Sequence, residues 1–394
     1  MEADLSSGAP RLGLAALFLK FLRFGCLAFG GPVAQIAMIR QALVDEEKWV
    51  TPARFNRLLA VMQVLPGPEA HELCVHFGMI ARGRIGGLLA GLGFMLPGLV
   101  LMLACAALYT KVIAGNSGFD GMLLGVQIFV LALIVGAVRR IARHAIPGLY
   151  LAALAAGGLI GTLLGVPFWI LLAAGGALHA LSGRPFAMLA VAGVAGAAAF
   201  ATVASGPQAV AAPVGGDVQL ALLFLAGLKG GLLTFGGAYT AIPYVRADTV
   251  GRGWLSDGAF LDGVALAGML PTPLVIFGTF AGYIAGGLGG ALAVTLGVFL
   301  PAFAFSLLFF ERLEWIVENP ALHRLLDGVA AVVVGIIAAT CLDLGSVLVA
   351  RSPQIWLTAL LFVAALAIVF TWKNRYAAPA LVALGGAVGW LVYR

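Results

Sequence analysis

Apolar runs of roughly 20 residues recur along almost the whole chain, and each is long enough to cross the hydrocarbon core of a bilayer as a helix. Hydrophobic residues make up 62% of the 394 residues and charged residues only 10%, so a soluble fold would lack polar residues to cover its surface. The 54 glycines, about twice ordinary usage, fit helices that pack closely through small residues. The sequence therefore predicts an all-α polytopic protein whose partner is the lipid bilayer.

Other bulk features exclude several classes of protein. The net charge of +6 is assigned to loops at the membrane surface and gives no reason to expect nucleic acid as a partner. The N-terminal tail, 1–11, has no basic stretch followed by a cleavage site, so no signal peptide is expected. All four cysteines lie in apolar segments without the spacing of metal ligands, and neither a metal nor a cofactor is predicted: Cys26, Cys74, Cys105 and Cys341.

An internal repeat divides the chain. Rare residues recur at offsets that drift only from 206 to 204 residues over about seventy positions. The matching pairs are Phe29-Gly30-Gly31 with Phe235-Gly236-Gly237, Trp49 with Trp254, Pro66 and Pro68 with Pro271 and Pro273, and Pro97 with Pro301. We therefore expect two homologous helical repeats, 12–184 and 218–394, joined by a further transmembrane helix and a polar linker in 185–217.

A single extra crossing between the two repeats would turn the second upside down. Counting full spans at 85–110 and 122–138 places most arginines of the first repeat on one face, and the positive-inside rule makes that face cytoplasmic. These residues are Arg82, Arg84, Arg139, Arg140 and Arg143. The sequence thus predicts inverted repeats with a cytoplasmic N-terminus. It leaves open which broken segments re-enter and which cross.

Each repeat contains a helix break that is a candidate binding site. Proline removes a backbone donor and glycine stabilises helices poorly, so Pro66-Gly67-Pro68 and Pro271-Thr272-Pro273 should interrupt helices. Breaks inside a bilayer are tolerated where protein or a water-filled cavity covers the freed backbone groups. The helices that begin after Pro68 and Pro273 would aim free N–H groups at an anion near mid-membrane.

The glycines of the two Phe-Gly-Gly motifs complete this candidate site. They would allow the backbone to approach a ligand, although close helix packing alone is an alternative explanation for them. The predicted substrate-binding residues at the motifs are Phe29, Gly30, Gly31, Phe235, Gly236 and Gly237.

A cation stands six residues before each Phe-Gly-Gly motif, Arg23 in the first repeat and Lys229 in the second. A charge near the middle of a span costs at least about 2.5–3.5 kcal/mol on insertion scales, so its presence requires a reason. We predict that the two cations face an anionic substrate at the repeat interface. The alternatives are snorkelling to a headgroup or pairing with an acid such as Glu72.

Ionisable residues crowd the helix after the first break, whereas the second repeat has apolar residues there. Glu69, His71 and Glu72 are candidates for proton coupling. The alternatives are that Glu69 stabilises a helix N-terminus and that Glu72 neutralises Arg23. The segment 71–76 lacks the His-Glu-x-x-His order of a zinc helix, and no catalytic set of residues is visible.

These same residues resemble the signature of the chromate ion transporter family in its long, two-domain form. The matching motifs are Phe29-Gly30-Gly31-Pro32, Trp49, Leu65-Pro66-Gly67-Pro68-Glu69-Ala70, Glu72-Leu73, Gly78 and Phe94-Met95-Leu96-Pro97. The resemblance implies a multi-pass inner-membrane protein that exports chromate, driven by the membrane potential or the proton gradient, and not an enzyme. Thr272 departs from the pattern, because a second Pro-Gly-Pro is usual there.

Our leading hypothesis is a secondary transporter that exports chromate, and sulfate or a related tetrahedral oxyanion as further candidates, by alternating access. The alternatives are an oxyanion uptake carrier or channel and a membrane enzyme acting on anionic lipid headgroups. The enzyme would need a nucleophile or a metal set, which the sequence does not offer. A homodimer is left open.

Overall fold

The computed structural model describes residues 12–204, 219–234, 237–308, 320–372, 374 and 376–393, and every regular element in this part of the chain is helical. Five of its helices are long and apolar enough to cross a membrane. The α-helices are α1 (Leu14–Leu27), α2 (Gly31–Arg40), α3 (Pro52–Val64), α4 (Glu69–Leu108), α5 (Asp120–Ala145), α6 (Leu149–Leu163), α7 (Phe168–Ala180), α8 (Pro185–Ala204), α9 (Leu220–Leu232), α10 (Ile242–Thr249), α11 (Asp257–Met269), α12 (Phe277–Leu308), α13 (Pro320–Arg351), α14 (Ile355–Thr371) and α15 (Ala377–Val392). The predicted all-α membrane fold is confirmed.

The first two helices form a re-entrant pair. The 14 residues of α1 rise about 20 Å, so α1 ends inside a hydrocarbon core about 30 Å thick. The chain then turns at Gly30 (φ 90°) and Gly31 (φ 77°), a left-handed conformation that favours glycine. After α2, Glu47 forms an ion pair with Lys20 of α1, and Trp49 packs on Phe21. The chain has therefore returned to the face where α1 began, called here the N-terminal face.

A second re-entrant pair follows, formed by α3 and the first part of α4. Within α4 the backbone is non-helical at Arg82 and Gly83, which separates a short part, 69–81, from a long part, 84–108. The two parts form a hairpin in which the Gly78 and Gly86 backbones touch. Arg82 Nε donates to the Leu12 carbonyl at 2.6 Å, so this hairpin turn also lies on the N-terminal face. The break at 66–68 is the inner end of the pair.

The second repeat has the same backbone. Gly286 (φ −147°, ψ 27°) and Gly287 (φ 60°, ψ −152°) interrupt α12 just as Arg82 (φ −148°, ψ 29°) and Gly83 (φ 59°, ψ −155°) interrupt α4. Agreement within a few degrees at matching positions indicates that the two sequences encode one structural unit. The sequence prediction of two homologous repeats is confirmed.

The two repeats are inverted, because matching helices run antiparallel where they meet. Gly87 of α4 packs against Leu307 of α12, and Gly91 packs against Phe303, so contacts advance along one helix while they retreat along the other.

The later helices are exchanged between the repeats. Gly121 of α5 contacts Gly389 of α15, and its counterpart Gly328 of α13 contacts His179 of α7. Each repeat is therefore completed by the last helix of the other.

Two helices are longer than their apolar runs predict. The sequence places the end of one span at 138, but α5 continues to Ala145 with Arg139, Arg140 and Arg143 on its last turns. The apolar run 325–342, which the sequence also predicts as a span, likewise lies inside α13, Pro320–Arg351. Both helices extend past their predicted spans because polar residues can continue a helix beyond the hydrocarbon core, where water satisfies them.

The extra span predicted between the repeats is α8, which buries none of its residues against the described protein. It therefore serves as a connection rather than as part of the helix core. The linker predicted at 205–217 lies outside the described residues, as do Phe235 and Gly236.

Candidate functional site

Each helix break is bonded to the other repeat. The Gly67 N–H donates to the Thr234 carbonyl at 2.9 Å. The Gln35 side chain donates to the carbonyls of Ala28 at 2.8 Å and Thr272 at 2.9 Å. Ala28 and Thr234 are matching positions, each directly before a Phe-Gly-Gly motif. Each break thus lies beside the glycine turn of the other repeat, although the two are far apart in sequence.

The packing around the breaks is exchanged in the same way. Gly98 of α4 lies directly against the side chain of Thr272, and its counterpart Ala302 of α12 lies against Gly67. At the second break, the residue with a side chain, Thr272, belongs to the break and faces a glycine of the helix. At the first break, the glycine belongs to the break and faces Ala302 of the helix. The departure from Pro-Gly-Pro at Thr272 is therefore accommodated by the absence of a side chain at Gly98.

The first break holds an acidic group. Gly67 has φ 151°, and a Cβ atom there would lie 2.7 Å from Glu72 Oε1. Glu72 is fully buried, and neither of its carboxylate oxygens has a hydrogen-bond partner among the described residues. The helix begins at Glu69 without a side-chain cap, and the His71 and Glu72 N–H groups donate to the Pro68 carbonyl at 2.8 and 3.1 Å, so the unbonded first amides of this helix are those of Glu69 and Ala70.

The remaining proton-coupling candidates lie at the same break. Glu69 is buried, and the His71 ring lies among three phenyl rings, with centroids 6.4 Å from Phe94, 5.0 Å from Phe299 and 4.7 Å from Phe303. Phe299 and Phe303 belong to the second repeat. The cluster predicted from sequence is thus brought to the repeat interface, while its role in proton movement stays a prediction.

The second break has different chemistry. Pro271, Thr272 and Pro273 are buried, and the chain continues in a 3₁₀ turn, Leu274–Ile276, before α12 begins at Phe277. The expected helix start directly after Pro273 is therefore delayed by three residues. Gly237 of the adjacent motif is buried with φ 125°.

The structure does not place the two predicted cations at the breaks. Arg23 lies on the exposed side of α1. Lys229 Nζ is 2.7 Å from Asp248 Oδ2 and 4.3 Å from the centre of the Phe168 ring. Glu72 is not their partner. The matched spacing in the two repeats does not reveal which side of each helix a residue occupies, and their substrate role stays a prediction.

A basic cavity of about 570 Å³ reaches the second break from the N-terminal face. Its inner end is lined by Gly30, Gly31 and Thr272. Its lining also contains Tyr239 and the arginines of the last turns of α5, Arg139, Arg140 and Arg143. Sequence reasoning assigned these arginines to a loop at the membrane surface. Their helical spacing, with no helix breaker before Pro147, is the signal that would have placed them on α5.

A second cavity, of about 540 Å³, lies on the opposite face and carries mixed charge. Asp262 accepts hydrogen bonds from Tyr109 Oη at 2.8 Å and Gln127 Nε2 at 2.9 Å, and Asp120 and Arg351 also line this cavity. The bonds of Asp262 join α11 to the turn that directly follows α4 and to α5. Sequence reasoning did not single out this cluster.

No group of three His, Cys, Asp or Glu side chains that could hold a metal ion occurs in the described ranges. The described residues around the breaks provide backbone amides, the Thr272 hydroxyl group and the buried carboxyl groups of Glu69 and Glu72, and the arginines of α5 line the basic cavity.

Comparison with known proteins gives consistent results. The family model described as chromate transporter matches residues 15–197 and 221–390. A chromate transport protein of Pseudomonas aeruginosa is 52% identical over all of this chain and 95% of its own length. A chromate transport protein of Cupriavidus metallidurans is 28% identical over 98% of this chain and 94% of its own. No solved structure matches this chain.

Proposed function

Because this chain belongs to the chromate transporter family and is a transport protein rather than an enzyme, we propose that it exports chromate across the cytoplasmic membrane by alternating access of its inverted repeats. Sulfate, a tetrahedral dianion of similar size, is the competing substrate in this proposal. The proposal includes proton coupling at the first break.

The crosswise hydrogen bonds between the breaks and the glycine turns carry the proposal. Inverted repeats that meet at broken helices form substrate sites near mid-membrane in many secondary transporters, because helix N-termini there present unpaired amides to anions. The bonds from Gly67 to Thr234 and from Gln35 to Thr272, which join each break to the other repeat, support such a site in this protein. A rocking motion of one repeat against the other would expose this position to each face in turn.

The orientation of the protein in the membrane is assigned from charge. The arginines of the hairpin turn and of α5 lie on the N-terminal face, so we assign that face to the cytoplasm by the positive-inside rule. The basic cavity then opens to the cytoplasm, and the mixed-charge cavity opens to the outside. The basic cavity would attract chromate on the inside, and the membrane potential, which is negative inside, would supply the outward driving force on a dianion.

Uptake of radiolabelled chromate into everted membrane vesicles tests this function. Accumulation should depend on the membrane potential and fall when unlabelled sulfate is added. Matched vesicles that lack the protein are the control. Equal accumulation in both preparations would contradict transport, and accumulation only in right-side-out vesicles would identify an uptake carrier.

A further inference from the structure

We propose that the basic cavity on the N-terminal face is a binding site of its own, where Arg140 and Arg143 capture a hydrated oxyanion dianion before Thr272 and the breaks receive it. The inference rests on the proposed function for the identity of the anion, but binding is measurable without transport. It assigns a substrate contact to arginines that the positive-inside rule explains only as topology signals.

The first support is the arrangement of charge. Arg143 stands three residues after Arg140 and four after Arg139 on one helix, so its side chain neighbours both of theirs. Arg139 stacks over the Phe370 ring at 4.3 Å, which leaves Arg140 and Arg143 as the guanidinium groups available to a ligand. None of the described residues that line this cavity is acidic. A guanidinium pair without a carboxylate is suited to bidentate contact with an oxyanion.

The second support is the position of the cavity. Leu133 and Arg143, both in its lining, are ten residues apart on α5, which corresponds to about 15 Å along the helix. The cavity therefore runs from the membrane surface towards the second break, where Thr272 lines its inner end. Its volume of about 570 Å³ is several times that of a tetrahedral oxyanion, so the anion could keep much of its water until it reaches the breaks.

The third support is that these three arginines of the first repeat have no charged counterparts at the matching positions of the second. Aligning Asp120-Gly121 with Asp327-Gly328 places the three arginines opposite Ser346, Val347 and Ala350 of α13. Inversion puts these uncharged positions on the other face. A cluster present in one repeat alone gives the molecule a preferred side for capturing the anion.

The test is equilibrium binding of radiolabelled chromate to the purified full-length protein in detergent, at fixed ionic strength. We compare the double variant Arg140→Gln/Arg143→Gln with Arg84→Gln/Arg184→Gln, which removes two charges from the same face outside the cavity. The first should weaken binding about tenfold or more, and the second should change it less than about twofold. Arg140→Lys/Arg143→Lys keeps the charge but not the bidentate geometry, and should give an intermediate affinity.

Unchanged affinity in Arg140→Gln/Arg143→Gln, or an equal loss in both double variants, would overturn the capture site. If a glutamine variant does not elute as a folded protein in size-exclusion chromatography, Arg140→Lys/Arg143→Lys becomes the test of the capture site. Wild-type affinity for chromate in that lysine variant would overturn the bidentate contact. In vesicles, the capture site predicts a raised KM with a nearly unchanged maximal rate. Failure of the wild type to transport chromate would instead reject the proposed function.

Discussion

The two helix breaks occupy matching positions in the two repeats and have opposite chemistry. The first, at Pro66-Gly67-Pro68, is closed and acidic, with Glu72 buried against Gly67. The second, at Pro271-Thr272-Pro273, is followed by apolar residues and faces the basic cavity. Duplication supplied the break twice, and divergence then gave one copy ionisable groups and the other a hydroxyl group at the inner end of a basic cavity. Inverted symmetry of the backbone therefore does not require symmetry of function.

The largest expected effect comes from exchanging the packing between the two breaks. Gly98→Ala should place a Cβ atom on the Thr272 side chain. The overpacking should lower the free energy of unfolding by about 1–3 kcal/mol and should strongly reduce transport. Adding Thr272→Gly should restore stability, because the double variant reproduces the natural Gly67 and Ala302 pair. Melting temperatures of all four proteins give the coupling energy.

If the effects of Gly98→Ala and Thr272→Gly on stability were additive, the two side chains would not interact, and the exchanged packing would be contradicted. Thr272→Gly alone should keep the fold and is the matched control. Its chromate transport then measures what the hydroxyl group contributes.

The next effect concerns the acids of the first break. Glu72→Gln should retain transport driven by the membrane potential but remove its response to a pH gradient, because an amide cannot carry a proton. Flux is measured in vesicles while the pH gradient is dissipated at constant potential. Glu47→Gln, at an exposed site on the N-terminal face, is the control. An unchanged pH response in Glu72→Gln would remove Glu72 from the coupling.

A smaller effect is expected for the crosswise bonds. Gln35→Leu leaves the buried carbonyls of Ala28 and Thr272 without this donor, a loss of about 1–3 kcal/mol per unsatisfied group at most. The second break should become less well positioned, so the maximal rate should fall more than the melting temperature. Gln41→Leu, on an exposed part of the same segment, is the control. Equal rates in the two variants would argue against a positioning role.

The smallest effects test the predicted pair of cations. Lys229→Ala removes the partner of Asp248, which Arg252 still approaches at 3.7 Å, so a modest loss of stability is expected. Arg23→Ala, on the exposed side of α1, should change stability little. Chromate transport by both variants decides their role, and near-normal transport would remove the pair from the mechanism.

Much of the fold is predictable because it depends on local rules. Apolar runs predict membrane helices, and proline with glycine predicts breaks at 66–68 and 271–273. Recurrence of rare residues predicts the duplication, and an odd number of crossings between the copies predicts their inversion. Each inference needs only the pattern of the chain and the cost of exposing polar groups to lipid.

The sequence by itself determined the membrane class, the two inverted repeats and the positions of the broken helices. Only the tertiary structure decided that Gly67 bonds to Thr234, that Thr272 packs on Gly98 and that the arginines of α5 line a cavity above the second break. It also placed Arg23 on the exposed side of α1 and paired Lys229 with Asp248. The physical reason is that spacing along a chain fixes helices and turns, whereas the direction of a side chain and its distant neighbours depend on how whole helices pack.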